Sequence, residues 1–275
     1  LYFIAIIVSF SRMVVGAHFI TDIIGGVVIA FVGFKLSKIL LFKFIDLNTN
    51  NNQLLIFNNN FKLVIVFLLL TVVLLSVGPV FDIYFSGLFY FGQNQFLIQS
   101  YYLVTIFFRK IIIGLILIYI LVLPIFSLFI PIQQIYFGYN FKIKKILYLW
   151  GLSIFNLVII INLILKNFWG RVRPNEILEL DGNNFFTPWY QISTQCDSNC
   201  SFVSGDAAVG FSLIAFYFLI KKELYLWLAL FLGFSIGGIR IMEGGHFISD
   251  VIFSGLVVFL LNFLIYSFYI KKING

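Results

Sequence analysis

Polar residues in this chain come in short clusters separated by long apolar runs. Runs at 19–42, 62–81, 111–131, 146–165, 207–220, 224–239 and 247–270 predict membrane-crossing helices. A hydrocarbon core about 30 Å thick needs roughly 20 apolar residues in helical form, with every backbone group bonded internally. The shorter runs need an extra turn at their ends. Residues 1–10 read as the tail of one more helix. Residues 82–110 are rich in Phe and Tyr but broken by polar positions, which predicts interfacial segments with aromatic anchors. The Asn-rich stretch 46–60, DLNTNNNQLLIFNNN, cannot build a core and predicts a linker.

Composition agrees with the pattern. Of 275 residues, 61% are hydrophobic and only 11% charged, against roughly 25% charged in a soluble domain. A water-soluble fold cannot hide that much apolar surface, so the expectation is a polytopic, all-α membrane protein. The net charge of +7, which in a soluble protein would suggest nucleic acid, is here a topology signal, and no nucleic-acid partner is expected. The chain begins at Leu1 inside an apolar run, with neither a basic n-region nor a cleavage site. That reads as a truncated start and not as a signal peptide.

The chain repeats itself once. SRMVVGAHFITD at 11–22 aligns with IRIMEGGHFISD at 239–250, so that Arg12/Arg240, His18/His246 and Asp22/Asp250 share one offset. Such a spacing is too long for a solenoid and suits one membrane domain plus a linker. The expected organisation is therefore a C-terminal fragment of an upstream copy at 1–42, a linker at 43–60 and a complete six-helix domain at 61–275. His18 and Asp22 lack the partner clusters described next, so that fragment alone is not expected to catalyse.

The basic residues sort by type on the two sides of this bundle. One side receives Lys35, Lys38, Lys43, Lys62, Lys142, Lys144, Lys145, Lys221, Lys222, Lys271 and Lys272. The other receives Arg12, Arg109, Lys110, Lys166, Arg171, Arg173 and Arg240, with most of the acids. Positive-inside reasoning places the lysine-rich side in the cytoplasm. That every arginine lies on the outer side is not explained by topology, and suggests that these residues bind something.

Three polar clusters share that outer side: KNFWGRVRP at Lys166–Pro174, SFVSGDA at Ser201–Ala207, and Arg240 with His246 and Asp250. Lys166, Arg171, Arg173 and Arg240 can present positive charge and N–H donors to phosphoryl oxygens. Ser204 and Gly205 open a helix, whose free N–H groups favour an anion, and glycine allows close approach. His246 and Asp250, four apart, share a helical face. There the carboxylate can hold one imidazole nitrogen while the other attacks phosphorus. Taken singly, each feature has a plainer account: cations snorkel at helix ends, Ser-Gly caps a helix, and a His–Asp pair can be structural. Their order, spacing and shared side favour the phosphate site.

K-x(6)-R-P, then S-G, then R-x(5)-H-x(3)-D resembles the signature of the type 2 phosphatidic acid phosphatases, the lipid phosphatase and vanadium haloperoxidase superfamily. The resemblance implies a metal-independent, cofactor-free phosphomonoesterase with a phosphohistidine intermediate. It implies His246 as nucleophile, Asp250 as its orienter, Lys166, Arg173 and Arg240 as a phosphate clamp, and Ser204 and Gly205 as further phosphate contacts. Arg171 lies outside the family's fixed positions. Two departures stand out. Asp206 occupies the position of the family's general-acid His, which makes it the expected proton donor. Ile239 stands where a phosphate-binding Ser is usual, so weakened catalysis is one alternative.

The GGHFISD segment and the acidic residue after Ser-Gly look like bacterial lipid A phosphatases. This implies a lipid phosphate substrate within the bilayer and an inner-membrane protein whose site faces the periplasm. Undecaprenyl pyrophosphate and phosphatidylglycerophosphate suit the same chemistry. Glu176, Glu179, Asp181 and Asp197 either shape headgroup choice or solvate their loop. Cys196 and Cys200 can form a disulfide if that loop is periplasmic, or remain free thiols. One rival from another class is a catalytically silent lipid-phosphate binder or partner subunit, which Asp206 and Ile239 favour. A transporter or channel is a second, but it would place charges at mid-helix.

Overall fold

The computed structural model describes residues 79–274 apart from 94, 100, 127 and 130–142, with side chains described as far as Tyr266. The repeat fragment 1–42, the linker 43–60 and nearly all of the 62–81 run lie outside the described residues. The described part is helical: α1 is Pro79–Gly87, α2 Tyr102–Phe126 and α3 Ile143–Phe168. They are followed by α4, Gly205–Ile220, and α5, Glu223–Met242, and by α6, Ile248–Asn274. Among the described residues, α2, α3, α5 and the Ile248–Tyr266 part of α6 are long and apolar enough to cross a membrane. The chain is an all-α, polytopic membrane protein.

Two boundaries differ from the sequence expectation for physical reasons. The helix expected from 111 starts at Tyr102, so Arg109 and Lys110 lie within the first part of α2 and not ahead of it. Arg109 is accommodated there because acidic groups from other helices reach it, as described below. α4 is shorter than a full span, yet most of it is enclosed, including Ala207, Ala208, Phe211, Ile214, Phe216 and Phe218. It is wrapped by its neighbours and does not need to match the bilayer thickness by itself.

Small residues bring these helices together. A Cβ on Gly210 of α4 would stand 2.7 Å from the Gly233 backbone of α5, and one on Gly237 of α5 would stand 2.3 Å from Val251 of α6. Packing through missing side chains is how apolar helices associate where lipid offers no hydrophobic gradient. The result aligns the start of α4, the end of α5 and the start of α6 at one end of the bundle. Lys221 and Lys222, between α4 and α5, are at the other end, and Lys144 and Lys145 begin α3 whereas Lys166 lies in its last turn. The arginine-rich and lysine-rich positions thus fall at opposite helix ends.

The loop 169–204 lies at the arginine end. Gly170 has φ +60, and a Cβ there would strike the Ser193 carbonyl, so glycine is required where the chain leaves α3. Trp169 stacks on Phe202 at 4.6 Å between ring centres, and Trp189 stacks on Phe253 of α6 at 4.6 Å. Phe96, Val172, Ile177, Leu180 and Phe247 form a small apolar core beneath. A disulfide joins Cys196 to Cys200, which shortens the free chain ahead of Ser204.

Candidate active site

The three clusters meet where α3 ends, α4 begins and α5 passes to α6. Lys166 Nζ donates to Asn199 Oδ1 at 3.3 Å and lies 3.3 Å from where a Gly205 Cβ would stand. Arg173 Nη2 donates to the Asn199 carbonyl at 2.8 Å. One loop residue therefore gathers both cations, by side chain and by main chain. Ser204 is fully buried at the N-cap of α4, its Oγ 3.5 Å from the Ala207 N–H. Its own N–H donates to the Asp250 carbonyl at 3.2 Å, which ties the phosphate-binding turn expected at Ser204–Gly205 directly to α6.

Arg240, in the last turn of α5, is nearly enclosed. Its Nη1 pairs with Glu243, and its Nε lies 3.2 Å from Asp206 Oδ2. The same Asp206 oxygen accepts from Arg109 Nε of α2 at 3.1 Å. Two guanidinium groups thus converge on one anionic oxygen, the arrangement a phosphoryl oxygen would also favour. A cleft of about 260 Å³ opens beside Asp206, lined also by Tyr102, Thr105, Ile106, Arg109 and Lys110. It reaches Arg109 and Asp206 from the α2 side.

His246 lies in the short turn between α5 and α6. It is buried, and its Nδ1 is 2.7 Å from the Ser201 carbonyl. A carbonyl can only accept, so Nδ1 carries the proton in the neutral ring and Nε2 holds the lone pair. No described residue hydrogen-bonds Nε2. Asp250 Oδ2 is 3.7 Å from Nδ1, within ion-pair range but farther than the Ser201 carbonyl. The nearest orienting group is therefore a main-chain oxygen, with the carboxylate behind it. Burial pushes the imidazole down to about 4, against the upward pull of Asp250 and helped by Arg240 and Lys166. The ring is neutral near pH 7, the state in which an imidazole nitrogen is able to attack an electrophile.

Behind His246 lies a second, drier cluster. Asp250 accepts from the Phe247 N–H at 2.8 Å, from Ser201 Oγ, and from Arg171 Nη1 at 2.5 Å. Arg171 faces away from the other cations. Its Nη2 donates to Asp82 of α1 at 2.8 Å and its Nε to the Thr187 carbonyl at 2.8 Å.

Lys166, Arg173, Ser204, Gly205, Asp206, Arg240, His246 and Asp250 are linked by these contacts, whereas Arg171 belongs to the rear cluster. Sequence reading did not single out Asn199, Glu243 or Asp82 for the site; it placed Arg109 among the outer-side arginines and Ser201 within the second cluster without giving either a role. The only signal was charge at the margin of an apolar run, for Asp82 and Arg109. Among the loop acids, Asp181 accepts from the Tyr90 hydroxyl and the Gln93 N–H, and Glu176 from the Arg173 N–H at 2.9 Å. Glu176 thus holds the loop's own shape, and Asp181 ties the loop to the segment at Tyr90–Gln93.

Comparison with known proteins gives a consistent picture. The family model described as PAP2 superfamily matches residues 1–46 and 146–274. A lipid A 4'-phosphatase of Francisella tularensis subsp. novicida (strain U112) is 41% identical over 118 residues, which are 42% of this chain and 53% of that protein. A lipid A 4'-phosphatase of Rhizobium leguminosarum is 37% identical over 108 residues, 37% of this chain and 46% of that protein. The chain thus spans about half the length of the curated relatives it matches. No solved structure matches it.

Proposed function

Because the chain belongs to the PAP2 superfamily, we propose that it is an integral membrane phosphatase that removes a phosphate from a lipid, with a lipid A-type substrate favoured. The relatives named lipid A 4'-phosphatase support that substrate class. The observation that carries the chemistry is the meeting of two features. Lys166, Arg173, Arg240 and Arg109 gather around Asn199, Gly205 and Asp206. Beside them, His246 is anchored at Nδ1, with Nε2 unengaged by any described residue.

In this reading the cations and the turn at Ser204–Gly205 hold the phosphoryl oxygens. The Nε2 lone pair attacks phosphorus, the P–O bond to the lipid breaks, and the leaving oxygen takes a proton. Water then attacks phosphorus, the P–N bond breaks, and inorganic phosphate leaves with His246 restored. Asp206 pairs with guanidinium groups that a phosphoryl oxygen would need, so substrate must displace it. Asp206 is a carboxylate while the guanidinium groups hold it. Once displaced it takes up a proton, from the substrate's phosphate monoanion or from water, and is then the proposed donor of that proton to the leaving alkoxide. Separation of lysine-rich from arginine-rich helix ends supports a periplasmic site in a bacterial inner membrane. Family similarity at 1–46 as well as 146–274 supports the reading of residues 1–42 as part of a second copy and 61–275 as the working domain.

The test is phosphate release from lipid A and from a short-chain phosphatidate by the detergent-purified chain. His246→Ala should lower turnover at least about 10³-fold, the scale of losing a covalent nucleophile. Wild-type protein quenched in alkali should retain phosphate on His246, since a phosphoryl–nitrogen bond survives base and breaks in acid. Turnover that survives His246→Ala would remove the mechanism. A second reading, a lipid-phosphate binder with little turnover, is favoured by the two guanidinium groups that hold Asp206. It predicts phosphate-analogue binding without measurable release.

A further inference from the structure

The buried cluster behind His246 has a construction that the phosphate chemistry does not require. Arg171 is wholly enclosed, yet each face of its fork is engaged. Nη1 reaches Asp250 Oδ1 at 2.5 Å and Ser249 Oγ at 2.9 Å, Nη2 reaches Asp82 Oδ2 at 2.8 Å, and Nε reaches the Thr187 carbonyl at 2.8 Å. The guanidinium also lies 4.2 Å from the Phe247 ring centre. Asp82 is held in turn by Ser249, whose N–H donates at 3.0 Å and whose hydroxyl donates at 2.6 Å. Asp82 comes from α1, outside the residues matched by the family.

We propose that Arg171 and Asp82 are positioning residues that act on the nucleophile through Asp250. This inference rests on the phosphohistidine reading of the site. The planar fork of Arg171 engages one oxygen of Asp250, which turns the other toward Ser201, the Phe247 N–H and the His246 ring. Asp82 fixes the fork from the opposite side, so the guanidinium cannot swing away from Asp250. Ser249 locks the arrangement, accepting from Arg171 and donating to Asp82 through one hydroxyl. As His246 bonds to phosphorus its ring becomes cationic, and a carboxylate held in place meets that charge without reorganising. Outer partners that orient metal-bound histidines change activity by about 10- to 100-fold when lost, and the same scale is expected of partners that orient Asp250 here.

The experiment uses the full chain in detergent with a short-chain phosphatidate as probe, and reads kcat and KM separately alongside a melting curve. Asp82→Ala should lower kcat about 10- to 100-fold, with KM within about twofold because the phosphate clamp is untouched. Asp82→Asn, which keeps an acceptor for Arg171, should recover a large part of that loss. Wild-type kcat in folded Asp82→Ala overturns the proposal, and so does a loss carried entirely by KM. If Asp82→Ala does not fold, Ser249→Ala decides: a several-fold drop in kcat upholds the arrangement, and an unchanged kcat overturns it. Failure of the wild-type chain to release phosphate at all would instead overturn the phosphatase reading.

Discussion

The two sides of His246 are built to different rules. In front, Arg109 and Asp206 keep 41% and 31% of their side-chain surface, and in the proposed mechanism their partners are the ones a substrate replaces. Behind, Arg171 and Asp250 have none exposed, and their contacts are closed among protein groups. A site that exchanges ligands tolerates wet, interchangeable ion pairs, which contribute little to stability. A support that must not move needs buried, fully bonded ones, whose disruption is costly. Stability should therefore respond mainly to the rear, whereas activity should respond to both sides, to the front through contact with substrate and to the rear through the positioning of His246.

The largest effect that can break this comparison is Arg171→Met. It leaves the Asp82 and Asp250 carboxylates buried without their cation, and should cost about 3–5 kcal/mol, read as a large drop in the melting temperature of the detergent-solubilised protein. A melting point close to wild type would mean that the rear cluster is no support. Next in size, Asp206→Asn should leave melting nearly unchanged while slowing release of a poor leaving group about tenfold or more, within the range of a general acid. Undiminished release would remove Asp206 from proton transfer, and a melting drop as large as that of Arg171→Met would erase the distinction between front and rear.

The smallest effect sharpens the comparison through pH. Free imidazole titrates near 6.5, but burial pushes His246 to about 4. The unfolded chain therefore binds the extra proton first as pH falls through 6.5, and stability declines progressively until the folded ring also protonates near 4. For catalysis, the neutral nucleophile persists across that window. The acid limb of kcat/KM should be centred on about 4, with little change between pH 7 and 5. A limb near 6.5 would show that the ring is wetter than its surroundings indicate. The same limb in Asp206→Asn would assign it to His246.

Much of the front was legible in the chain order. Lys166, Arg173, Ser204, Gly205, Arg240 and His246 are the charged, small or nucleophilic residues at the margins of apolar runs, and a helix margin is where a membrane protein can present them. Arg171 was legible as a cation but not as a support, because its neighbours Gly170 and Arg173 give no hint that it turns inward while Arg173 turns out. Asp82 was hidden for a related reason: its bond to Arg171 closes over 89 positions and its bond to Ser249 over 167. Nothing periodic connects such residues. The early start of α2 was missed because Arg109 lowers local hydropathy, whereas its pairing with Asp206 compensates for that charge.

The amino-acid order by itself determined that this chain forms apolar helices, that its cations divide by type between their ends, and that the three polar clusters proposed to hold phosphate lie at helix margins. These follow from hydropathy and from charge placement, which are local and accumulate residue by residue. Only the tertiary structure decided that His246 is anchored by the Ser201 carbonyl with Asp250 behind it, that Arg109 joins Arg240 at Asp206, and that Arg171 bridges α1 to α6. A hydrogen bond is directional and loses its value within an ångström. Which of several nearby acceptors wins is therefore set by how the helices pack.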